Sequence, residues 1–240
     1  MANEGTIAYK LCGNIYLNIT NRCNTECIFC KKRNSLIPDA FCPQTEDETC
    51  DSLPKIPSNF MSIDDVVYGY NIKTNDPIYG RDLRLKEEPK LKTVINELAE
   101  IDFSKFDEVV FTGLGEPIIR FDDVLAITKE LTNHGASVRL DTIGYANLLY
   151  PKRDVAKELA DSGMKKISIS LNAHDEVTFN RICQPKIKNG YSSRFEFAKD
   201  VTRVGMGLRF TIIDLPCVDI NKCRQLSWKY QASFKVRPFF

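Results

Sequence analysis

From residue 108 onward, this 240-residue chain alternates short segments of period two with longer segments of helical period. Strands are expected over 108–112, 137–143, 165–172, 207–214 and 233–238, with a sixth over 15–20. Helices are expected over 121–134, 153–162, 175–183, 192–204 and 221–230, and another over 88–100. Gly135 and Gly163 stand where helices would end, because glycine takes a left-handed cap without strain. Repeated strand–helix units imply an α/β fold with a parallel sheet and right-handed crossovers.

The strands carry a second constraint. Parallel strands covered on both faces are almost continuously apolar, whereas these alternate. Ile15, Leu17 and Ile19 oppose Tyr16, Asn18 and Thr20. Val138 and Leu140 oppose Arg139 and Asp141. Ile167, Ile169 and Leu171 oppose Ser168, Ser170 and Asn172. Leu208, Phe210 and Ile212 oppose Arg209 and Thr211, and Phe234 and Val236 oppose Lys235 and Arg237. Helices should cover the apolar face and leave the other polar and wet. The alternative, an antiparallel sheet with a solvent face, fits poorly with helices between the strands.

A chain of this length can bury a full core as one domain, 1–240. Residues 31–90 break the pattern. They are rich in Pro, Asp, Asn and Ser and are longer than most strand–helix connections, so they read as an insertion serving as a lid or docking element. No run reaches membrane-spanning length, and Met1–Gly5 lack the basic and apolar regions of a signal peptide. Nine cysteines, three of them clustered, suit a reducing cytoplasm better than a disulfide framework. The net charge of +1 gives no global field for nucleic acid.

Those three cysteines, Cys23, Cys27 and Cys30, form a C-x3-C-x2-C run directly after the strand 15–20. Three thiolates this close can converge on one metal centre. A [4Fe-4S] cluster normally takes four thiolates, so three would leave one iron open for chemistry. A zinc site with a remote fourth ligand is the alternative, although zinc ligands more often come as two separated C-x2-C pairs. A second motif follows the strand 108–112: Gly113-Leu114-Gly115-Glu116-Pro117. Glycines there allow positive φ and close approach of backbone to a ligand, and carbonyls with Glu116 could accept from an ammonium group.

In this order the two motifs resemble the radical S-adenosylmethionine (radical SAM) superfamily. Its signature has this cysteine spacing with an aromatic before the third cysteine, here Phe29, and a Gly-Gly-Glu-Pro element, here split by Leu114. Tyr16–Cys23, Val138–Thr142, Ser168–Ala173, Arg181–Pro185, Asp214–Pro216 and Val236–Pro238 resemble the small radical SAM proteins linked to TatD-type nucleases. That likeness spans nearly all the chain except 34–80. Thr142-Ile143-Gly144 departs from it, since that group has an Asn first and an Asn-Gly ending.

The resemblance implies a partial (β/α)6 TIM-like barrel with sites at the C-terminal strand ends. It implies an enzyme with a [4Fe-4S] cluster on Cys23, Cys27 and Cys30. One electron from the cluster would cleave S-adenosyl-L-methionine (SAM) to methionine and a 5′-deoxyadenosyl radical, which abstracts hydrogen from a substrate. A one-electron donor such as a flavodoxin or ferredoxin is implied as partner. Phe29 would shield the cluster, and Gly113, Leu114, Gly115, Glu116 and Pro117 would hold the SAM amino end. Asp141, Ser170 and Asn172 are further candidates for SAM, and the adenine would lie along the backbone at Ile212 and Ile213. Glycyl-radical activation, carboxydeazaguanine-synthase-like chemistry and a non-catalytic iron–sulfur or zinc redox module stay open as alternatives.

Four cations, Arg139, Arg209, Lys235 and Arg237, would share the polar face with only Asp141 and Glu116 as counter-charges. Unpaired charges are costly to bury, so they either flank a wet mouth or bind an anionic substrate with a carboxylate or phosphate. Of the remaining cysteines, Cys12 reads as packing. Cys42 with Cys50, or Cys217 with Cys223, could hold an auxiliary cluster or zinc, and Cys183 or Cys217 could donate a hydrogen atom. His134 and His174 read as surface or capping residues.

Overall fold

The computed structural model describes residues 5–30 and 67–238. Most of the expected insertion, with Cys42 and Cys50, lies outside the described residues. Among the described residues nine strands form one sheet: β1 (Ala8–Leu11), β2 (Asn14–Asn18), β3 (Val67–Asn71), β4 (Pro77–Tyr79), β5 (Val109–Thr112), β6 (Val138–Thr142), β7 (Lys166–Ser170), β8 (Gly207–Ile213) and β9 (Ser233–Arg237). Their order is β4-β3-β1-β2-β5-β6-β7-β8-β9. From β2 to β9 every pairing is parallel, so the six expected strands make a partial barrel in sequence order. The helices are α1 (Leu91–Leu98), α2 (Phe121–Asn133), α3 (Ala146–Leu149), α4 (Val155–Asp161), α5 (Glu176–Cys183), α6 (Gly190–Arg203) and α7 (Ile220–Lys229).

Local chemistry fixes the helix ends. Asp154, Asp175 and Asp219 cap α4, α5 and α7 by accepting from the backbone N–H three residues on, at 3.2, 2.8 and 2.9 Å. Gly135 and Gly163 follow the ends of α2 and α4 at φ of +80° and +98°. The expected alternation of the strands holds. Ile15, Leu17, Phe111, Leu140, Ile167, Ile169, Phe210 and Ile212 pack with the helices in one core.

The sequence reading missed the antiparallel extension of the sheet. β1 and β2 form a hairpin through Cys12 and Gly13, both at positive φ (46° and 75°), the signature of a tight two-residue hairpin turn. β1 then pairs with β3, and β3 with β4. Residues 67–79, read as part of a lid, therefore supply two strands at the sheet edge.

Candidate active site

The cysteine loop leaves β2 under tight control. Thr20 is fully buried and its hydroxyl donates to Glu88. Arg22 grips the same carboxylate with two hydrogen bonds, at 2.6 and 2.8 Å, and Asn21 donates to the Leu85 carbonyl at 2.6 Å. The other side of the loop is stitched to the end of α5: Glu26 N donates to the Cys183 carbonyl at 3.1 Å, Ile28 N to that of Ile182 at 2.9 Å, and Lys186 N to that of Asn24 at 2.8 Å.

Between these anchors sit the thiols of Cys23, Cys27 and Cys30. The Thr25 hydroxyl lies 3.2 Å from the Cys23 sulphur and 3.4 Å from that of Cys27. Cys30 closes a tight turn through a 3.0 Å bond from its N–H to the Cys27 carbonyl. Cys23 and Cys30 line a cleft of about 590 Å³ with Asn21, Arg22, Ile119 and Tyr150. Burial pushes the Cys23 thiol up. A hydrogen bond with Cys183, and then burial, push up that of Cys27. Among the described residues no three Cys, His, Asp or Glu side chains already surround one point. The thiols share a loop and a cleft rather than a finished cage. Phe29 packs half-buried against the helix-side core.

The Gly113–Pro117 loop lies against this loop. A Cβ at Gly113 would stand 2.1 Å from Asn18 Oδ1, and one at Gly115 would stand 2.3 Å from the Thr20 carbonyl oxygen. Only glycine permits both approaches, and Gly113 also needs its φ of +114°. Gly115→Ala should therefore lower the melting temperature, measured by calorimetry. Asn18 secures the arrangement: its amide donates to the carbonyls of Thr6 and Leu83, and its Oδ1 accepts from Leu114 N. Leu114 packs toward Tyr9, Ile78 and Leu83. Pro117 is buried at the start of a 3₁₀ turn.

Glu116 differs from expectation. It is fully buried, and its carboxylate accepts from Ile118 N at 3.1 Å, Thr142 Oγ1 at 2.8 Å and Ile143 N at 2.6 Å. Its own N–H donates to the Arg22 carbonyl at 2.7 Å. The side chain is a bracket between the glycine loop, β6 and the cysteine loop rather than a free acceptor. Thr142 is one of its three donors.

Burial raises Glu116 from the ordinary 4.5 to about 7, against its three hydrogen bonds. Between those values the folded chain holds a proton that the unfolded chain has released. This contribution is complete below 4.5 and is lost as pH rises through about 7. Urea titrations should show stability falling by up to about 3 kcal/mol across that interval. Glu116→Gln should lack that component.

Strand register orders the polar face. Tyr16, Val110, Arg139 and Lys166 form its lowest row. Asp141, Ser168 and Arg209 follow, then Ser170, Thr211 and Lys235, then Ile213 with Arg237 at the C-terminal rim. Arg139 corrects the count of free cations. It is buried and bonded to Asp141 and, at 2.8 Å, to Glu108, which also holds Lys166 at 2.7 Å. The sequence reading overlooked Glu108 as a counter-charge. Among the described residues Arg209 donates only to Ser168 Oγ, at 3.3 Å; burial and neighbouring Arg139 lower its pKa. Lys235 and Arg237 are exposed. None of these three makes an ion pair among the described residues.

Other candidates fall elsewhere. Asn172 leaves the strand at φ +55° and turns its amide to Cys183 at 3.6 Å, with Oδ1 buried and without a partner among the described residues. The Ile212 side chain is in the helix-side core; Ile213 has the polar-face position. Cys183 is wholly buried, away from the polar face, which argues against hydrogen-atom donation to a substrate. Cys223 is buried in α7 and its thiol is pushed up to about 12, while Cys217 is half-buried. Cys12 is exposed in the β1–β2 turn. His134 bonds the Glu130 carbonyl at the end of α2, and His174 accepts from Asp219 N.

The profile of the Radical SAM superfamily matches residues 17–217. The chain belongs to that superfamily, whose enzymes use a [4Fe-4S] cluster and SAM. Among solved structures it is similar to SuiB of Streptococcus suis bound to S-adenosylmethionine, with TM-score 0.59 and 13% identity over 94% of this chain and 40% of that one. It is also similar to TYW1 with a lysine-pyruvate adduct bound (TM-score 0.52, 15% identity, 95% and 65% covered). Methylornithine synthase (PylB) gives TM-score 0.52 and 11% identity, with 95% and 53% covered. These likenesses are of fold, and the chain spans about two fifths of the length of SuiB. No curated protein matches the sequence. Among the described residues no helix is long and apolar enough to cross a membrane. The residues present fit the family's cofactors: a loop of three cysteines lies beside a glycine cradle that any Cβ would fill.

Proposed function

We propose that the chain is a radical SAM enzyme whose cluster is held by Cys23, Cys27 and Cys30 and whose SAM rests on the Gly113–Pro117 loop. The observation that carries this is the junction of the two loops. Gly115 lies against the Thr20 and Arg22 carbonyls, and Glu116 N bonds the latter. The cluster, when bound, supplies the electron that splits SAM into methionine and a 5′-deoxyadenosyl radical. The protein's own residues hold and orient. Backbone carbonyls of the glycine loop accept from the SAM ammonium group, and Glu116 fixes their position. Ser170 and Thr211 offer hydroxyls at the strand ends for the ribose and carboxylate. Dithionite-reduced protein should show an EPR signal that changes on adding SAM; an unchanged signal contradicts the reading.

The substrate carries a carboxylate or phosphate. Arg209, Lys235 and Arg237 climb the β8–β9 side of the polar face toward its rim without carboxylate partners among the described residues. Arg139 is excluded because Glu108 and Asp141 occupy it. Pyrophosphate and citrate serve as probes. Arg209→Ala with Arg237→Ala should weaken their binding at least about tenfold, roughly the loss of one charge-assisted hydrogen bond, while SAM affinity holds. Equal anion affinity would remove these residues from the substrate site. Free thiols and an iron centre suit a reducing compartment such as the cytoplasm, with a flavodoxin or ferredoxin as electron source.

A further inference from the structure

The cysteine loop holds a buried threonine between two of its cysteines. Thr25 is only 6% exposed. Its backbone is clamped by the turn that follows α5. Thr25 bridges Pro185, Lys186 N donates to the Asn24 carbonyl at 2.8 Å, and Glu26 N donates to the Cys183 and Gln184 carbonyls, each at 3.1 Å. A β-branched side chain has few χ1 choices once its backbone is fixed, so the clamp sets where the hydroxyl points.

Most side-chain hydrogen bonds go to backbone or water. The Thr25 hydroxyl goes to sulphur instead. Its Oγ1 lies 3.2 Å from Cys23 Sγ and 3.4 Å from Cys27 Sγ, and has no oxygen or nitrogen partner among the described residues. With both cysteines protonated, the Cys27 S–H donates to Oγ1. A metal ligand is the thiolate, which can only accept. Once Cys27 is a ligand, the hydroxyl becomes the donor, and its single proton serves one sulphur at a time.

We propose that Thr25 is a positioning residue whose hydroxyl donates to the ligand sulphurs of Cys23 and Cys27 and so tunes the cluster. A donor to a cluster sulphur stabilises the more negative, reduced cluster over the oxidised one and raises its reduction potential. A less strongly reducing electron donor then suffices. This inference rests on Cys23 and Cys27 being cluster ligands.

The test is an EPR-monitored redox titration of reconstituted wild type, Thr25→Val and Thr25→Ser, with iron analysis on each. Valine keeps the branched shape and loses the hydroxyl; serine keeps the hydroxyl and loses the methyl group. At equal iron, Thr25→Val should titrate at a more negative potential than wild type, and Thr25→Ser should stay closer to wild type than to the valine variant. A valine variant at or above the wild-type potential overturns the proposal. So does a serine variant shifted as far as the valine one, because packing would then explain both. If the valine variant binds no iron, iron content decides: full iron in the serine variant supports a hydroxyl acting on the ligands, and loss of iron from both overturns it. Wild type without iron would instead overturn the cysteines as ligands, and the proposal with them.

Discussion

Cys23→Ala, Cys27→Ala and Cys30→Ala combined should reduce bound iron from about four per chain to background. The fold should survive. Cys23 and Cys30 are only half-buried, and the loop is held by Thr20, Asn21 and Arg22 on one side and by the end of α5 on the other. Circular dichroism should therefore stay close to that of wild type while iron, sulfide and the reduced-cluster EPR signal disappear together. Full iron in the triple variant would transfer the cluster to other cysteines. About eight irons in wild type would add a second cluster and bring Cys42, Cys50, Cys217 and Cys223 into play.

Glu116→Ala should be the most destabilising single change in the site. It strands the N–H groups of Ile118 and Ile143 and the Thr142 hydroxyl in a buried setting. Each unsatisfied group costs about 1–3 kcal/mol, so a loss of roughly 4 kcal/mol is expected, a large share of the stability of an ordinary domain. SAM affinity should fall with it, because the glycine loop loses its tie to β6. Thr142→Val removes one donor and should cost about 1–2 kcal/mol. Urea unfolding and SAM calorimetry on both variants check this. An alanine variant of wild-type stability would mean that Glu116 is not the bracket.

Much of this fold is legible from local pattern. Period-two alternation in 165–172 and 207–214 set both the strands and their phase, and Ser168, Ser170, Arg209 and Thr211 share one face as the pattern requires. The strand 165–172 stops early, at Ser170, because Asn172 adopts a left-handed backbone that no hydrophobicity pattern marks. The β1–β2 hairpin could have been read from Cys12-Gly13 between two alternating runs. The pairing of β3 with β1 joins segments far apart in sequence and leaves no local trace. The site divides in the same way. The cysteine spacing and the glycine loop are local motifs. The Arg22–Glu88 clasp, the Glu108 partner of Arg139, the Thr142 donor to Glu116 and the backbone bonds from the cysteine loop to the end of α5 are made by tertiary proximity alone.

The most direct test of the central claim is chromatography of the protein reconstituted without oxygen, then mixed with dithionite and SAM in the absence of substrate. The account predicts slow release of 5′-deoxyadenosine with methionine in equal amounts, and none from the triple cysteine variant. Protein that carries about four irons per chain yet releases no 5′-deoxyadenosine would contradict it.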